Sequence, residues 1–150
     1  MISFDEEYVT QYIENAIKDG FNSKEWKELF GGKSMKFSED NFGESTTFPL
    51  TYIAITDCSQ ADGTYDSSQE QKYTTFWFEI EHYNQAIEKN GITKKELGLK
   101  INKKMIEILQ DALNPRITSN SRIESPDSTI YRRRIEGHCN IDNNKKIFYR

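Results

Sequence analysis

Cysteine, histidine and long apolar runs are all scarce in this chain, and each scarcity excludes something. Two cysteines, Cys58 and Cys139, are too few for a disulfide framework and show no C-x-x-C spacing, so both read as ordinary thiols. No apolar run nears the roughly 18 residues of a membrane helix, and the acidic start MISFDEEY lacks the basic region of a secretory signal. The two histidines are His82 and His138, whereas a zinc site gathers several His, Cys or carboxylate groups at compatible spacings. His138 and Cys139 are neighbours on a predicted strand, so their side chains leave opposite faces and do not chelate one ion. The same spacing argues against a Cys–His nucleophile pair. The stretch Asp62-Gly63-Thr64-Tyr65-Asp66 lacks the ligand spacing of an EF-hand, and neither common Gly-rich phosphate motif is present. A net charge of −4 gives no global reason to expect nucleic acid as a partner. These absences lead to an expectation of a soluble cytoplasmic chain with no catalytic residues, no metal and no cofactor.

What is there begins with one stretch, Thr93 to Leu113. Leu97, Ile101, Met105, Ile108, Leu109, Ala112 and Leu113 recur at spacings of three and four, which places them on one stripe of a helix. Thr93 and Glu96 have capping-box spacing, and Asn114-Pro115 ends the helix because proline disfavours helical geometry in the residue before it. A single amphipathic helix needs an apolar surface to cover, and the alternating segments on either side supply one. With 150 residues the chain is expected to form one domain, 1–150, long enough to bury a core without staples. Nine Phe, eight Tyr and two Trp make that core aromatic-rich.

The remaining elements follow in order. Ser3 to Lys18 reads as a helix with Val9, Tyr12, Ile13, Ala16 and Ile17 as its apolar stripe; Ser3 and Glu6 form a second capping box, and Gly20 supplies a left-handed stop. Ser23 to Phe30 reads as a short helix with Trp26, Leu29 and Phe30 inward, broken by Gly31-Gly32. Lys33 to Thr47 is polar and reads as a surface loop, pinned by Phe37 and Phe42. Phe48 to Thr56 is strand-like, with Pro49 at its start. Lys72 to Tyr83 alternates, with Phe76, Phe78 and Ile80 on one face and Trp77, Glu79 and Glu81 on the other. Asp57 to Gln71, between these strands, is acidic and almost free of apolar residues; it reads as a long loop that is mobile in the isolated subunit. Ile117 to Ile123 reads as a short extended piece, Ser125-Pro126-Asp127 as a turn, Ile130 to Ile141 as a strand, and Lys145 to Tyr149 as its hairpin return across Asp142-Asn143-Asn144. The predicted fold is α+β, in the order α-α-β-β-α-β-β: an antiparallel or mixed sheet with one long helix packed on it and an N-terminal helical segment.

Two charge features stand out. Arg132, Arg133 and Arg134 form the sharpest local run, and they are expected to split between strand faces, with Arg132 and Arg134 meeting Glu79 and Glu81 across the sheet or across a subunit boundary. Glu79, Glu81 and His82 could also build a metal-dependent hydrolytic site, as could His82, Cys58 and a carboxylate; the alternative is a solvated or subunit-facing strand surface.

The leading helix, the proline-opened strand FPLTYIAIT, the long loop, the strand YTTFWFEIEHY, the amphipathic helix and the closing YRRRIEGHCNID, preceded by SPDSTI, resemble the tail-terminator, or tail-completion, proteins of tailed bacteriophages. The similarity covers most of the chain in order of elements. It implies a virion structural protein of the tail or neck, assembled in the host cytoplasm, that forms a ring, usually a hexamer, on the last ring of the tail tube. Its expected partners are itself, the tail-tube protein and the head-tail connector protein, with no specific nucleic-acid recognition and no membrane. The expected interface residues are Trp77, Glu79, Glu81, Arg132, Arg134, Asp57, Asp62 and Asp66, with Arg132 and Arg134 offering positive charge outward and the acids negative charge outward. Alternatives are a neck or minor capsid protein of the head-tail interface, or a small acidic immunity- or antitoxin-like binding protein.

Overall fold

The computed structural model describes residues 6–38, 47–60, 73–142 and 147–148. Helices α1 (Glu6–Gly20) and α2 (Lys24–Leu29) lead into strands β1 (Lys36–Ser38), β2 (Leu50–Gln60) and β3 (Tyr73–Asn84). A 3-10 turn (Glu88–Asn90) and helix α3 (Lys94–Leu113) follow, and then β4 (Arg116–Ile123), β5 (Tyr131–Asp142) and β6 (Ile147–Phe148). The fold is α+β and the order of helices and strands is the predicted one. The strands form one mixed sheet in the order β1-β2-β3-β5-β4, with β6 also on β5. Only the β1–β2 pair is parallel.

Helix α3 forms where the periodicity places it. Thr93 Oγ1 accepts from the Glu96 amide at 3.2 Å, and the helix ends on Asn114, which takes the left-handed conformation at φ 46°. Its buried stripe is Leu97, Ile101, Met105, Ile108, Leu109 and Leu113, joined by Gly98 and Asn102. These side chains meet Phe76, Phe78 and Ile80 of β3, Ile135, Cys139 and Ile141 of β5, and Val9, Ile13 and Ile17 of α1 in a single core. The described helices therefore pack on one face of the sheet. Burial of each large apolar side chain in that core contributes about 1.5–3 kcal/mol, which makes this layer the main stabilising one.

The approach of α3 to the sheet is set by Gly98. A Cβ there would lie 2.1 Å from Cδ1 of Tyr131 and 2.9 Å from Oδ1 of Asn84. Gly20 has the same kind of role. Its backbone is not among the positive-φ glycines, which corrects the expectation of a left-handed stop; instead a Cβ at Gly20 would lie 2.2 Å from Cδ1 of Ile108, so its lack of a side chain lets α1 close onto α3. Gly31 and Gly32 do take positive φ, at 68° and 90°, and return their amides to Glu28 and Lys27 carbonyls.

Three further differences from the sequence reading have physical causes. The stretch read as a loop from Lys33 to Thr47 contains β1, because Met35 is buried and Phe37 half-buried, with Met35 Sδ accepting from the Thr51 hydroxyl at 3.1 Å. Tyr12 is not in the apolar stripe of α1: it stands at the edge, exposed, and donates to the Ala112 carbonyl at 3.4 Å. Asp57 and Cys58 are strand residues, since β2 passes a bulge between Ile55 and Asp57 and stays paired as far as Gln60. Ser3, Phe42, Asp62, Asp66 and most of the predicted 57–71 loop lie outside the described residues, as does the turn at Asn143-Asn144.

Replacing Gly98 by alanine tests the close approach. Intrinsic helix propensity would favour Gly98→Ala by about 1 kcal/mol, whereas overpacking against Tyr131 costs about 1–3 kcal/mol. A net loss of stability in urea denaturation is expected, and a gain would show that α3 does not lie so close to β5.

Candidate functional site

The face of the sheet away from the helices is where the sequence placed its candidate residues. Strand alternation and register put Leu50, Tyr52, Ala54 and Asp57 of β2 beside Tyr83, Glu81, Glu79 and Trp77 of β3. Those in turn stand beside Arg132, Arg134, Glu136 and His138 of β5. No helix covers this face among the described residues.

One end is a small apolar cluster of Phe48, Leu50, Tyr83 and Ile130 with Tyr52 against it. Beside it Glu81 has no exposed side-chain area. Its Oε1 accepts from Arg132 Nη2 at 2.7 Å and from Arg134 Nε and Nη2 at 3.0 and 2.7 Å, and its Oε2 accepts from the Tyr83 hydroxyl. Burial pushes the Glu81 carboxyl up, but the hydrogen bonds from Tyr83, Arg132 and Arg134 outweigh it and hold the group below its ordinary range. Arg134 also pairs with Glu79 at 2.9 Å, and the Arg132 guanidinium lies over the Tyr83 ring. The expected pairing of Arg132 and Arg134 with Glu79 and Glu81 therefore occurs across the sheet, within one subunit. This corrects the expectation that Glu81 carries charge outward: directly opposed strands bring Arg132 and Arg134 onto its carboxylate, although Arg132 Nε is left buried without a partner.

Toward the other end, Trp77 is 38% exposed and its ring lies 4.4 Å from that of His138, centroid to centroid. His138 stands directly opposite Trp77 in the register. Asp57 is the β2 partner of Trp77, and its carboxylate accepts from the Cys58 amide at 2.8 Å. So the structure brings Glu79, Glu81, Arg132 and Arg134 into one network and Asp57 and Trp77 to one end. Asp62 and Asp66 fall outside the described residues. Sequence reasoning missed His138 as the ring neighbour of Trp77, and Tyr83 as a donor to Glu81. The first becomes visible only once the β3–β5 register is known; the second follows from the two-residue spacing that puts Glu81 and Tyr83 on one face of β3.

The hydrolytic constellation does not assemble. Glu81 and His82 are consecutive strand residues on opposite faces. His82 is wholly buried under α3, with Nε2 3.0 Å from Asn102 Oδ1; an acceptor on Asn102 makes Nε2 the protonated nitrogen, and Nδ1 has no partner. Among the described residues no group of three or more His, Cys, Asp or Glu side chains could hold a metal ion. Burial pushes the Cys139 thiol up to about 12. Burial, then Asp57 and Glu6, also raise Cys58, so neither is an activated thiolate. Among the described residues no helix is long and apolar enough to cross a membrane. No protein-family model and no curated protein sequence matches the chain.

Two outcomes are expected from this geometry. Removing Glu81 leaves two guanidinium groups facing each other on a largely covered face. Glu81→Ala should therefore cost about 3 kcal/mol in chemical denaturation, the low end for a broken buried pair because Arg134 keeps some water. A loss below 1 kcal/mol would mean that solvent already screens the network.

His82 gives a pH dependence of known sign. Burial is the main cause that lowers its pKa from 6.5 to about 4, with Arg133 adding to it. The unfolded chain then takes up a proton from pH 6.5 downward that the folded chain refuses until pH 4. Stability present above pH 6.5 is lost as pH falls through that window, at about 1.4 kcal/mol per unit. Wild-type protein should lose about 2 kcal/mol more than His82→Gln between pH 7 and pH 5; parallel profiles would show that His82 is charged in the fold.

Proposed function

We propose that this chain is a non-catalytic structural subunit that assembles through its helix-free sheet face. In that reading it forms a ring of six copies that caps a phage tail tube, ends its growth and presents the surface joined by the head-tail connector. The observation that carries the reading is the exposed Trp77, its ring tilted against that of His138 at the end of the face away from the Glu81–arginine network. A large aromatic on a face that no described helix covers is suited to burial against another chain. The resemblance in element order to tail-terminator proteins supplies the ring, the tube and the number six. The chemistry of the face supports a docking role as well: the charges at its other end that would otherwise need a partner, Glu81, Arg132 and Arg134, already have one another.

The test is to polymerise the cognate tail-tube protein with and without this chain and image the tube ends. Tubes of bounded length carrying an added terminal ring are expected. Trp77→Ala should keep its thermal stability, since the side chain is partly solvated, but lose the caps. Unbounded tubes with bare ends would leave the reading without support, and a ring found only on isolated connectors would move the chain to the neck.

A further inference from the structure

A row of four side chains crosses the Trp77 end of the helix-free face. Asp57 of β2 stands beside Trp77 of β3, Trp77 beside His138 of β5, and His138 beside Arg116 of β4. Residues directly opposite one another in antiparallel pairs share a face, so all four side chains leave the sheet on the same side. Asp57 and Arg116 are exposed, His138 is half-buried and Trp77 keeps the exposure already noted. Neighbouring strands lie ~4.8 Å apart, so the row spans about 14 Å from its acidic to its basic end.

Local features hold both ends in place. The bulge between Ile55 and Asp57 sets Asp57 opposite Trp77, and the Cys58 amide donates to its carboxylate. At the other end β4 comes close to β5 because Gly137 has no side chain: a Cβ there would lie 2.5 Å from the Arg116 carbonyl oxygen. The other charges of the face are engaged with one another. Arg134 pairs with Glu79 and Glu81 and stands 3.9 Å from Glu136, and Arg132 pairs with Glu81. The ion pairs among the described residues include neither Asp57 nor Arg116. Beyond the row, away from Glu79, Thr75 and Asn140 are neutral and joined by a hydrogen bond of 2.7 Å.

An acid, an indole, an imidazole and a guanidinium in that order make the row complementary to itself. A two-fold axis running along the strands between β3 and β5 lays a second copy face to face on the first, with its row reversed. Asp57 of each copy then faces Arg116 of the other, and Trp77 of each faces His138 of the other. An axis across the strands would set Asp57 on Asp57 and Arg116 on Arg116. Sheets packed face to face stand about 10 Å apart, a gap that two indoles and two imidazoles occupy at the axis. The next row toward Glu81 resists closure, since Glu79 of one copy would face Glu136 of the other. That repulsion splays the two sheets apart toward the Glu81 network and confines the contact to the Trp77 end.

We infer that the Asp57–Trp77–His138–Arg116 row docks on the same row of a second copy of this chain, in a two-fold, face-to-face contact. The inference rests on the reading that this face assembles, and it names the pairing. A two-fold contact uses one patch on both copies and closes at two, so a ring of six requires a second, different contact to join three such pairs. Burial of Trp77 supplies the larger part of the affinity, and the two Asp57–Arg116 pairs set the orientation.

A charge swap tests it. Sedimentation velocity of the wild type should show a concentration-dependent species of two copies. Asp57→Arg and Arg116→Asp each put like charges at both ends of the contact, so each variant alone should pair about tenfold more weakly or worse. An equimolar mixture of the two should pair again, and so should the double variant with itself, because both ends then join opposite charges. Trp77→Ala should abolish pairing, and circular dichroism checks that every variant keeps its fold. Single variants that pair like wild type, or a mixture that stays monomeric, would overturn the contact, as would a wild type that is monomeric at high concentration. A mixture that grows beyond two copies would overturn the two-fold in favour of a head-to-tail contact between row ends. A wild type that caps tubes but never pairs would overturn the pair and leave the ring reading standing; pairing without capping would do the reverse. Binding of oligothymidylate that Trp77→Ala abolishes, without pairing, would reassign the row to nucleic-acid bases.

Discussion

In the pairing of β3 with β5, Glu81 stands opposite Arg134, Trp77 opposite His138 and Ile80 opposite Ile135. This register decides both faces of the sheet at once. Because side chains alternate along a strand, a slip of one residue would carry Phe76, Phe78 and Ile80 out from under α3 and bring Glu79 and Glu81 beneath it. The apolar face alone would make that slip prohibitive. The ion network adds a second lock on the same register, since Glu81 reaches Arg132 and Arg134 together only when the strands are aligned as they are. A buried ion network of this kind contributes little net stability against an apolar alternative, but it strongly penalises arrangements that leave one member unpaired. Its worth to the fold is therefore specificity, with the apolar layer supplying the energy.

The helical layer fits onto that sheet through positions without side chains. Gly98 lets α3 approach Tyr131 and Gly20 lets α1 approach Ile108. The closeness has a consequence for the polar groups beneath α3. His82 and Asn102 hydrogen-bond to each other there, and Nδ1 of His82 and Oδ1 of Asn84 are left buried without partners. Such groups are costly in an apolar layer, and they make this end of the helix–sheet contact the one most sensitive to protonation.

Much of this was legible in the sequence. The α3 stripe, its Thr93 cap, the two-faced alternation of β3 and β5 and the pairing of arginines with Glu79 and Glu81 all follow from local periodicity and charge. What could not be read depends on tertiary neighbours. Three residues of β1 carry no alternating pattern long enough to distinguish a strand from a loop, and only the β2 edge makes them one. The role of Gly20 lies in the side chain of Ile108, 88 positions on. The His138–Trp77 ring contact depends on register, which alternation by itself does not fix. Glu81 shows the limit most clearly: its identity suggested an outward charge, whereas the opposing strand converts it into the most completely covered carboxylate of the open face.

That conversion bears on how the molecule could recognise another copy. Charges that find partners within a subunit cannot direct assembly, so two members of the triple-arginine run, Arg132 and Arg134, are electrostatically quiet from outside, while Arg133 on the other face donates to Asn120. The lysines of α2, the 3-10 turn and α3 stand beside acids in the same hollows: Glu28 with Lys24, Lys27 and Lys89, and Glu25 and Glu107 with Lys100, Lys103 and Lys104. Exposed ion pairs contribute at most about 1 kcal/mol each, so in the proposed assembly burial of Trp77 and His138 would supply more of the affinity than surface charge. In that reading the apolar contact at the Trp77 end would hold the neighbour, while the ion network at the other end of the face fixes the strand register that presents Trp77.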